Sequence, residues 1–246
     1  MSRNFELLTQ IQSELGEARV LGTMSKSVRP IVEAASRSES CVDAVSEEMV
    51  RLVQRVFLTA NGNGPRKVLF FGVDDSAGSS SVCARTGRAL AVHSSLPVCL
   101  VDANLQSSHL CRMFGIISAG KPESGPTSLR ERCAQVGANL WVAGASVLAS
   151  GRSAFPGVNE LKEAMTRLRE EFEYLLIDVA GANVRGDAVL LGQVTDAAVL
   201  VVEAHSTRRV AARKAKEMLD AANVRLLGTV LHNRTFPIPE KLYRKL

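Results

Sequence analysis

Residues Lys67 to Ser81 read KVLFFGVDDSAGSSS. The stretch begins as an apolar run, Val68-Leu69-Phe70-Phe71, short enough for a buried strand. It breaks into small and polar residues, and Ala84 to Ala91 follows at helical spacing. Strand, small-residue loop and helix form the layout of a phosphate-binding P-loop, in which backbone N–H groups and a helix N-terminus face an anion. A working loop reads G-x-x-x-x-G-K-[ST]. Here Gly78 is followed by Ser79 instead of lysine, and Val73 occupies the first glycine position. The loop keeps its shape and lacks its cation.

Working outward, the strand-and-helix pattern continues. Apolar runs predict strands at 67–73, 97–102, 139–143, 174–179, 197–202 and 226–231. Helices are predicted near 79–94, 157–172, 184–193 and 207–222. Val98-Cys99-Leu100-Val101, Leu175-Leu176-Ile177 and Ala197 to Val202 are apolar without alternation, as in strands covered on both faces. The fold class is therefore α/β, a mostly parallel central sheet with helices on both faces, P-loop NTPase-like. Residues 116–138 carry Gly120, Pro122, Gly125 and Pro126 and read as a surface excursion. Pro237, Pro239 and Tyr243 to Leu246 read as a short tail.

The N-terminal part differs. Phe5, Leu7, Leu8, Ile11 and Leu15 predict a short amphipathic helix over 4–16. Residues 17–40, rich in Ser and Arg, read as linker. A second helix is expected from Val42 to Thr59, with Val45, Met49, Leu52, Val53 and Val56 on one stripe. Asn61-Gly62-Asn63-Gly64-Pro65 ends it. The expected organisation is an N-terminal helical arm over 1–41 and a P-loop-like domain over 42–246.

Composition excludes several classes. The cysteines are Cys41, Cys83, Cys99, Cys111 and Cys133, with no C-x-x-C pair, which fits thiols of a reducing compartment. The four histidines show no metal spacing. No apolar run approaches the ~20 residues that span a bilayer. The first residues carry acidic groups and no signal-peptide core. A cytoplasmic protein is expected. Net charge is +5, unevenly placed. From His205 to Leu246 ten Lys/Arg stand against three Asp/Glu, leaving twenty against twenty-two elsewhere. No aromatic residues alternate with those charges, so no nucleic-acid partner is expected.

In an open parallel sheet, ligands bind beyond the carboxyl ends of the strands. Three strand ends carry candidates: Gly78, Ser79, Ser80 and Ser81 after the first, Asp102 and Asn104 after the second, and Asp178 at the end of 174–179. Magnesium prefers hard oxygen ligands, and Ser80, Asp102 and Asp178 are the residues that can supply them if Mg²⁺ is bound. Each has a structural alternative. A serine at a helix start is a good cap, and an Asp at a strand end fixes a turn. Asp74 and Asp75 add negative charge where a triphosphate would sit. Efficient phosphoryl transfer is not expected, because a P-loop lysine neutralises the β- and γ-phosphates and serine cannot. No cofactor is expected; the backbone N–H groups leave room for weak Mg·ATP or Mg·ADP binding.

Over residues 43 to 246 the chain resembles the cytosolic domain of the bacterial tyrosine kinases (BY-kinases) of capsule and exopolysaccharide biosynthesis, which are MinD/ParA-like P-loop proteins. Glu47 to Arg55 resembles the family's E-x-x-R-x-x-R helix, with Glu48 and Arg51 matching and Gln54 and Arg55 near the third position. Val98 to Asn104 is similar to the second Walker segment, continued by Leu105, His109-Leu110 and Phe114-Gly115. Glu171 to Asp178 is similar to the Walker B strand. The closing stretch, Ala222 to Leu231 with Phe236-Pro237-Ile238-Pro239 and Tyr243 to Leu246, carries the most specific likeness.

The departures fall at the chemistry. Ser79 stands for the loop lysine, Asn104 for the second aspartate of D-x-D, Gln106 for the arginine after it, and Ala180 and Gly181 for the prolines after Walker B. His232, with Asn233 adjacent, stands where an asparagine near the base is expected. The C-terminal tyrosine cluster is missing, Tyr243 being the sole tyrosine after Tyr174. The resemblance thus implies a catalytically impaired relative, a pseudokinase. Its partners would be a membrane polysaccharide chain-length regulator (Wzz-like) or a catalytic paralogue, the first placing it peripherally at the membrane's inner face. Glu48, Arg51, Gln54 and Arg55 would face a neighbouring subunit in a homo-oligomer. The alternatives are an active ATP-dependent kinase or ATPase using Arg85, Arg88 or Lys67 as its cation, and a MinD-like surface protein with a basic C-terminal membrane contact.

Overall fold

The computed structural model describes residues 46–58, 64–74, 78–104, 108–116, 128–148, 156–179, 181 and 187–234. The expected helix over 4–16, the arm over 17–40, residues 61–63 of the expected stop, residues 117–127 of the excursion and the tail from Thr235 lie outside the described residues.

The chain runs α1 (Glu47–Val56), β1 (Lys67–Gly72), α2 (Gly78–Ser94), β2 (Val98–Asp102), α3 (His109–Met113), β3 (Ala134–Gly137), β4 (Leu140–Gly144), α4 (Val158–Glu171), β5 (Tyr174–Val179), α5 (Asp187–Val194), β6 (Ala197–Glu203), α6 (Arg209–Ala221) and β7 (Leu226–His232). The strands form one seven-stranded sheet in the order β3-β4-β2-β5-β1-β6-β7. Each pairing is parallel except β3 against β4. The order places β1 and β5 at the centre, where all of β5 and five of the six residues of β1 are buried. That burial on both faces is why these segments read as unbroken apolar runs.

Two apolar layers cover the faces. One holds Leu69, Phe71, Cys99, Trp141, Leu168, Leu175 and Ile177. The other holds Val68, Phe70, Leu90, Leu100 and Leu176, with Met49, Val53 and Val56 of α1. The alternation of β1 between the layers follows from the two-residue period of a strand. Leu52 packs partly against the second layer, so the expected stripe on α1 is the buried one among its described members. Gly87 lets α2 lie close to the sheet, since a Cβ there would stand 2.4 Å from Leu100 Cδ2.

The strands and long helices fall within a few residues of their expected places. Two elements were not anticipated. β3 lies inside the stretch read as a surface excursion; it is an edge strand of alternating exposure, AQVG, too short and polar to register as a strand. α3 is a five-residue helix whose apolar residues are too few to show a period.

Candidate functional site

The candidates converge at the carboxyl ends of the central strands. Asp102 ends β2 and Asp178 lies one residue before the end of β5, and the two are register partners on adjacent strands. Ser79 and Ser80 lie in the first turn of α2, which contains no acidic residue. All four side chains are buried, Asp102 and Asp178 to 1% and 2% exposure. Ser81 is half-buried. Gly72 permits the loop to leave β1 tightly, for a Cβ there would meet Asp74 O at 3.0 Å and Ser79 Cβ at 3.5 Å.

The two carboxylates are treated differently. Asp102 Oδ1 accepts the Asn104 N–H at 3.1 Å, and Oδ2 accepts the Cys111 N–H at 3.0 Å. Asp102 therefore closes the turn after β2 and holds the start of α3. Burial raises its pKa above the ordinary carboxylate range, and those backbone N–H bonds work against the rise. The turn role set beside metal binding in the sequence is the one whose bonds are formed here, and Asn104 serves it through its backbone.

Asp178 Oδ2 accepts the Ser80 Oγ–H at 2.5 Å. Its Oδ1 is buried with no hydrogen-bond partner among the described residues. Burial raises its pKa to about 7; the Ser80 hydroxyl opposes the rise, Asp102 adds to it, and the Ser79 hydroxyl opposes it. None of these influences is cationic. The positive end of α2 is the compensating feature, as a helix N-terminus favours a nearby anion. Two thiols complete the surroundings. Burial and the charges of Asp178 and Asp102 push Cys83 up, and burial with Asp102 raises Cys111 to about 12. Both are protonated thiols at neutral pH.

The cations considered as substitutes are engaged elsewhere. Lys67 is at the opposite end of β1, its ammonium 3.3 Å from Asp196. Arg85 Nη2 donates to Ser46 Oγ at 3.2 Å, toward α1. Arg88 stacks over the Phe114 ring, 4.9 Å from its centroid. Asp74 is taken up by Thr207, whose Oγ1 donates to Asp74 Oδ2 at 2.8 Å and accepts the Glu203 N–H at 3.0 Å. Thr207 and Cys111 were not singled out in the sequence; they lie 133 and nine residues from the aspartates they bind, and no local pattern marks either.

Such a loop in working form holds magnesium and a nucleoside triphosphate. The residues here retain the metal side of that chemistry, a hydroxyl and a carboxylate, in Ser80 and Asp178. They do not fit the phosphate side. A polyanion would meet two buried carboxylates, with a serine where the neutralising ammonium belongs. Among the described residues no group of three His, Cys, Asp or Glu side chains is arranged to hold a metal ion.

The face of α1 carries Glu48, Arg51, Gln54 and Arg55, all exposed. Arg51 pairs with Glu47 one turn earlier, at 2.5 Å. Among the described residues, no helix is long and apolar enough to cross a membrane.

No family profile matches the chain, and no curated protein matches it by sequence. Solved structures match it by fold. The VpsO kinase domain superposes with a TM-score of 0.63 at 19% identity, over 76% of this chain and 94% of that one. The kinase domain of the Escherichia coli tyrosine kinase Etk gives 0.53 at 17%, over 70% and 71%. The cell division protein MinD of Aquifex aeolicus gives 0.55 at 15%, over 72% of each chain. The chain has the fold shared by bacterial tyrosine-kinase domains and MinD, as its motif order implied.

Proposed function

We propose that this protein is a catalytically impaired relative of the tyrosine kinases of exopolysaccharide and capsule assembly, acting through protein contacts. The observation that carries the reading is Asp178: a buried carboxylate at the end of a central strand, facing Ser79 where the loop lysine belongs, with no cation among its leading influences. Nucleotide is then no required cofactor. The fold shared with two kinase domains supports the relation. The exposed row Glu48, Arg51, Gln54 and Arg55 supports contact with a second subunit or a catalytic paralogue. A membrane chain-length regulator is the other partner in this reading, and it would bring the protein to the inner face of the membrane.

The test is capture from solubilised membranes of a cell that makes the polymer, using the full chain as bait. Recovery of a polysaccharide-assembly kinase or regulator supports the proposal. Recovery of neither, with the bait folded, overturns the partner role.

The second reading is an active ATP-dependent kinase or ATPase. It requires Arg85 or Arg88 to leave the contacts with Ser46 and Phe114 and turn to the loop. Hydrolysis of Mg·ATP by the purified protein, lost in Arg85→Ala or Arg88→Ala, would establish it.

A further inference from the structure

The exposed cations of α6 are used by nothing described so far. Arg208, Arg209, Arg213 and Lys214 are all exposed, and none makes an ion pair among the described residues. The helical repeat sets Arg209 beside Arg213, and Val210 beside Lys214, on the outer face. The inner face carries Ala215 and Leu219, buried in the layer that holds Leu69 and Phe71. Val210 stands among the cations at 66% exposure, a large apolar side chain left in solvent. The start of α6 is at the rim of the sheet. Thr207, two residues before it, holds Asp74 of the loop after β1, and the Ala204 N–H donates to His232 O at the end of β7, at 2.8 Å. The chain leaves β7 at this same rim. Residues 235–246, outside the described ones, add Lys241, Arg244 and Lys245 against one acid, Glu240.

The order of charge along α6 opposes its own stability. A helix favours acids at its start and bases at its end, because its N-terminus carries a partial positive charge. α1 and α4 follow that order: Glu47 and Glu48 precede Arg55, and Glu160 precedes Arg169. α6 inverts it. Its first turn holds no acidic residue and its last turn no basic one. Arg208 stands at the N-cap and makes no side-chain cap bond. Arg209, Arg213 and Lys214 follow, and the acids Glu217 and Asp220 come only in the second half, where Lys216 pairs with Asp220 at 2.5 Å. The leading cations repel the positive end of their own helix and one another. Folding gains nothing from that arrangement, and an anion outside the domain is what offsets it.

We propose that this face of α6 binds an anionic lipid surface directly. Lipid phosphates and carboxylates are spread over a plane, so they call for no shaped pocket. They call for several mobile cations side by side and some exposed apolar surface set among them. Arg208, Arg209, Arg213 and Lys214 supply the first, and Val210 the second. The phosphates of a nucleic acid would meet the same charges. Val210 in their midst favours lipid, since a phosphodiester backbone offers it no apolar partner. Each cation within a Debye length of an anionic leaflet strengthens binding about fivefold. The membrane association proposed above comes through a partner protein. This contact needs none, so vesicles free of protein test it separately.

The test is co-sedimentation of the full chain with phosphatidylcholine vesicles, with and without about 30% phosphatidylserine. The protein is expected to sediment with the anionic vesicles and to stay in solution beside the neutral ones. Salt at about 0.5 M, where the Debye length has fallen to roughly 4 Å, should release it. Arg209→Glu combined with Arg213→Glu should weaken binding at least about twentyfold. By placing acids near the helix start, the same variant should melt at a higher temperature than the wild type. Lys162→Glu combined with Arg225→Glu makes an equal change of net charge at exposed positions on α4 and at the opposite end of β7. That pair should leave vesicle binding within about threefold of the wild type. No binding to anionic vesicles, binding that survives the α6 reversal, an equal loss in the control pair, a lower melting temperature in the α6 variant, or capture of duplex DNA in place of vesicles would overturn the proposal.

Discussion

The two ends of the central strands are built on opposite electrostatic plans. At the start of β1, β5 and β6 two ion pairs cross between neighbouring segments. Lys67 faces Asp196 at 3.3 Å and Arg66 faces Glu173 at 3.2 Å. Asp196 Oδ2 also accepts the Arg66 and Lys67 N–H groups at 2.8 and 2.9 Å. Burial pushes Asp196 up, yet those N–H bonds and the Lys67 ammonium hold it below its ordinary value. At the other end two aspartates stand side by side, one with an orphaned oxygen and a pKa of about 7. A structure selected for stability alone would not retain that pair, since a buried unpaired carboxylate costs several kcal/mol. The floor of the sheet pairs its charges across the strands, and the rim sets two buried carboxylates side by side.

The largest expected effect breaks the comparison at the rim. Asp178 binds a proton more tightly folded, near pH 7, than unfolded, near 3.8. Its contribution is fully favourable below pH 4 and is lost as pH rises to 7, with roughly 4 kcal/mol as the upper bound. Denaturant unfolding should show the wild type less stable at pH 8 than at pH 5. Asp178→Asn should flatten that dependence and be the more stable protein at pH 8. An unchanged slope would mean that Asp178 is not the strained group.

Next in size is the packing between α2 and the sheet. Gly87→Ala should destabilise by about 1–3 kcal/mol, because the new methyl meets Leu100 at 2.4 Å and overpacks a closed layer. Chemical melts check this, and a neutral result would show slack where the close approach implies none.

The floor is less sensitive. Asp196 is about one-third exposed, so solvent screens its pairing. Asp196→Asn should cost about 1 kcal/mol at pH 7. Its depressed pKa makes that contribution present above pH 4 and lost as pH falls below it. The variant and wild type should therefore converge in acid. Smallest of all, Arg51→Ala should change the melt by less than about 0.5 kcal/mol, since its pair with Glu47 is exposed. Any larger effect, seen in sedimentation as a lost oligomer, would assign the α1 face to subunit contact.

The same division governs what the sequence reveals. The floor was legible: β1, β5 and β6 are buried on both faces, so their composition alone marks them. The order of Gly78, Asp102 and Asp178 along the chain was enough to place them at one sheet edge. Legibility ended where partners are remote. Nothing near Asp102 shows that its second oxygen will hold the Cys111 N–H, and nothing near Asp74 points to Thr207. β3 was missed because an edge strand of four residues needs no apolar run; it borrows its order from β4.

The most direct measurement of the central claim is calorimetric titration of Mg·ATP into the wild-type chain and into Ser79→Lys. The account predicts no binding to the wild type at micromolar concentration, and measurable binding once an ammonium faces Asp178. Micromolar binding to the wild type, with turnover, would contradict it.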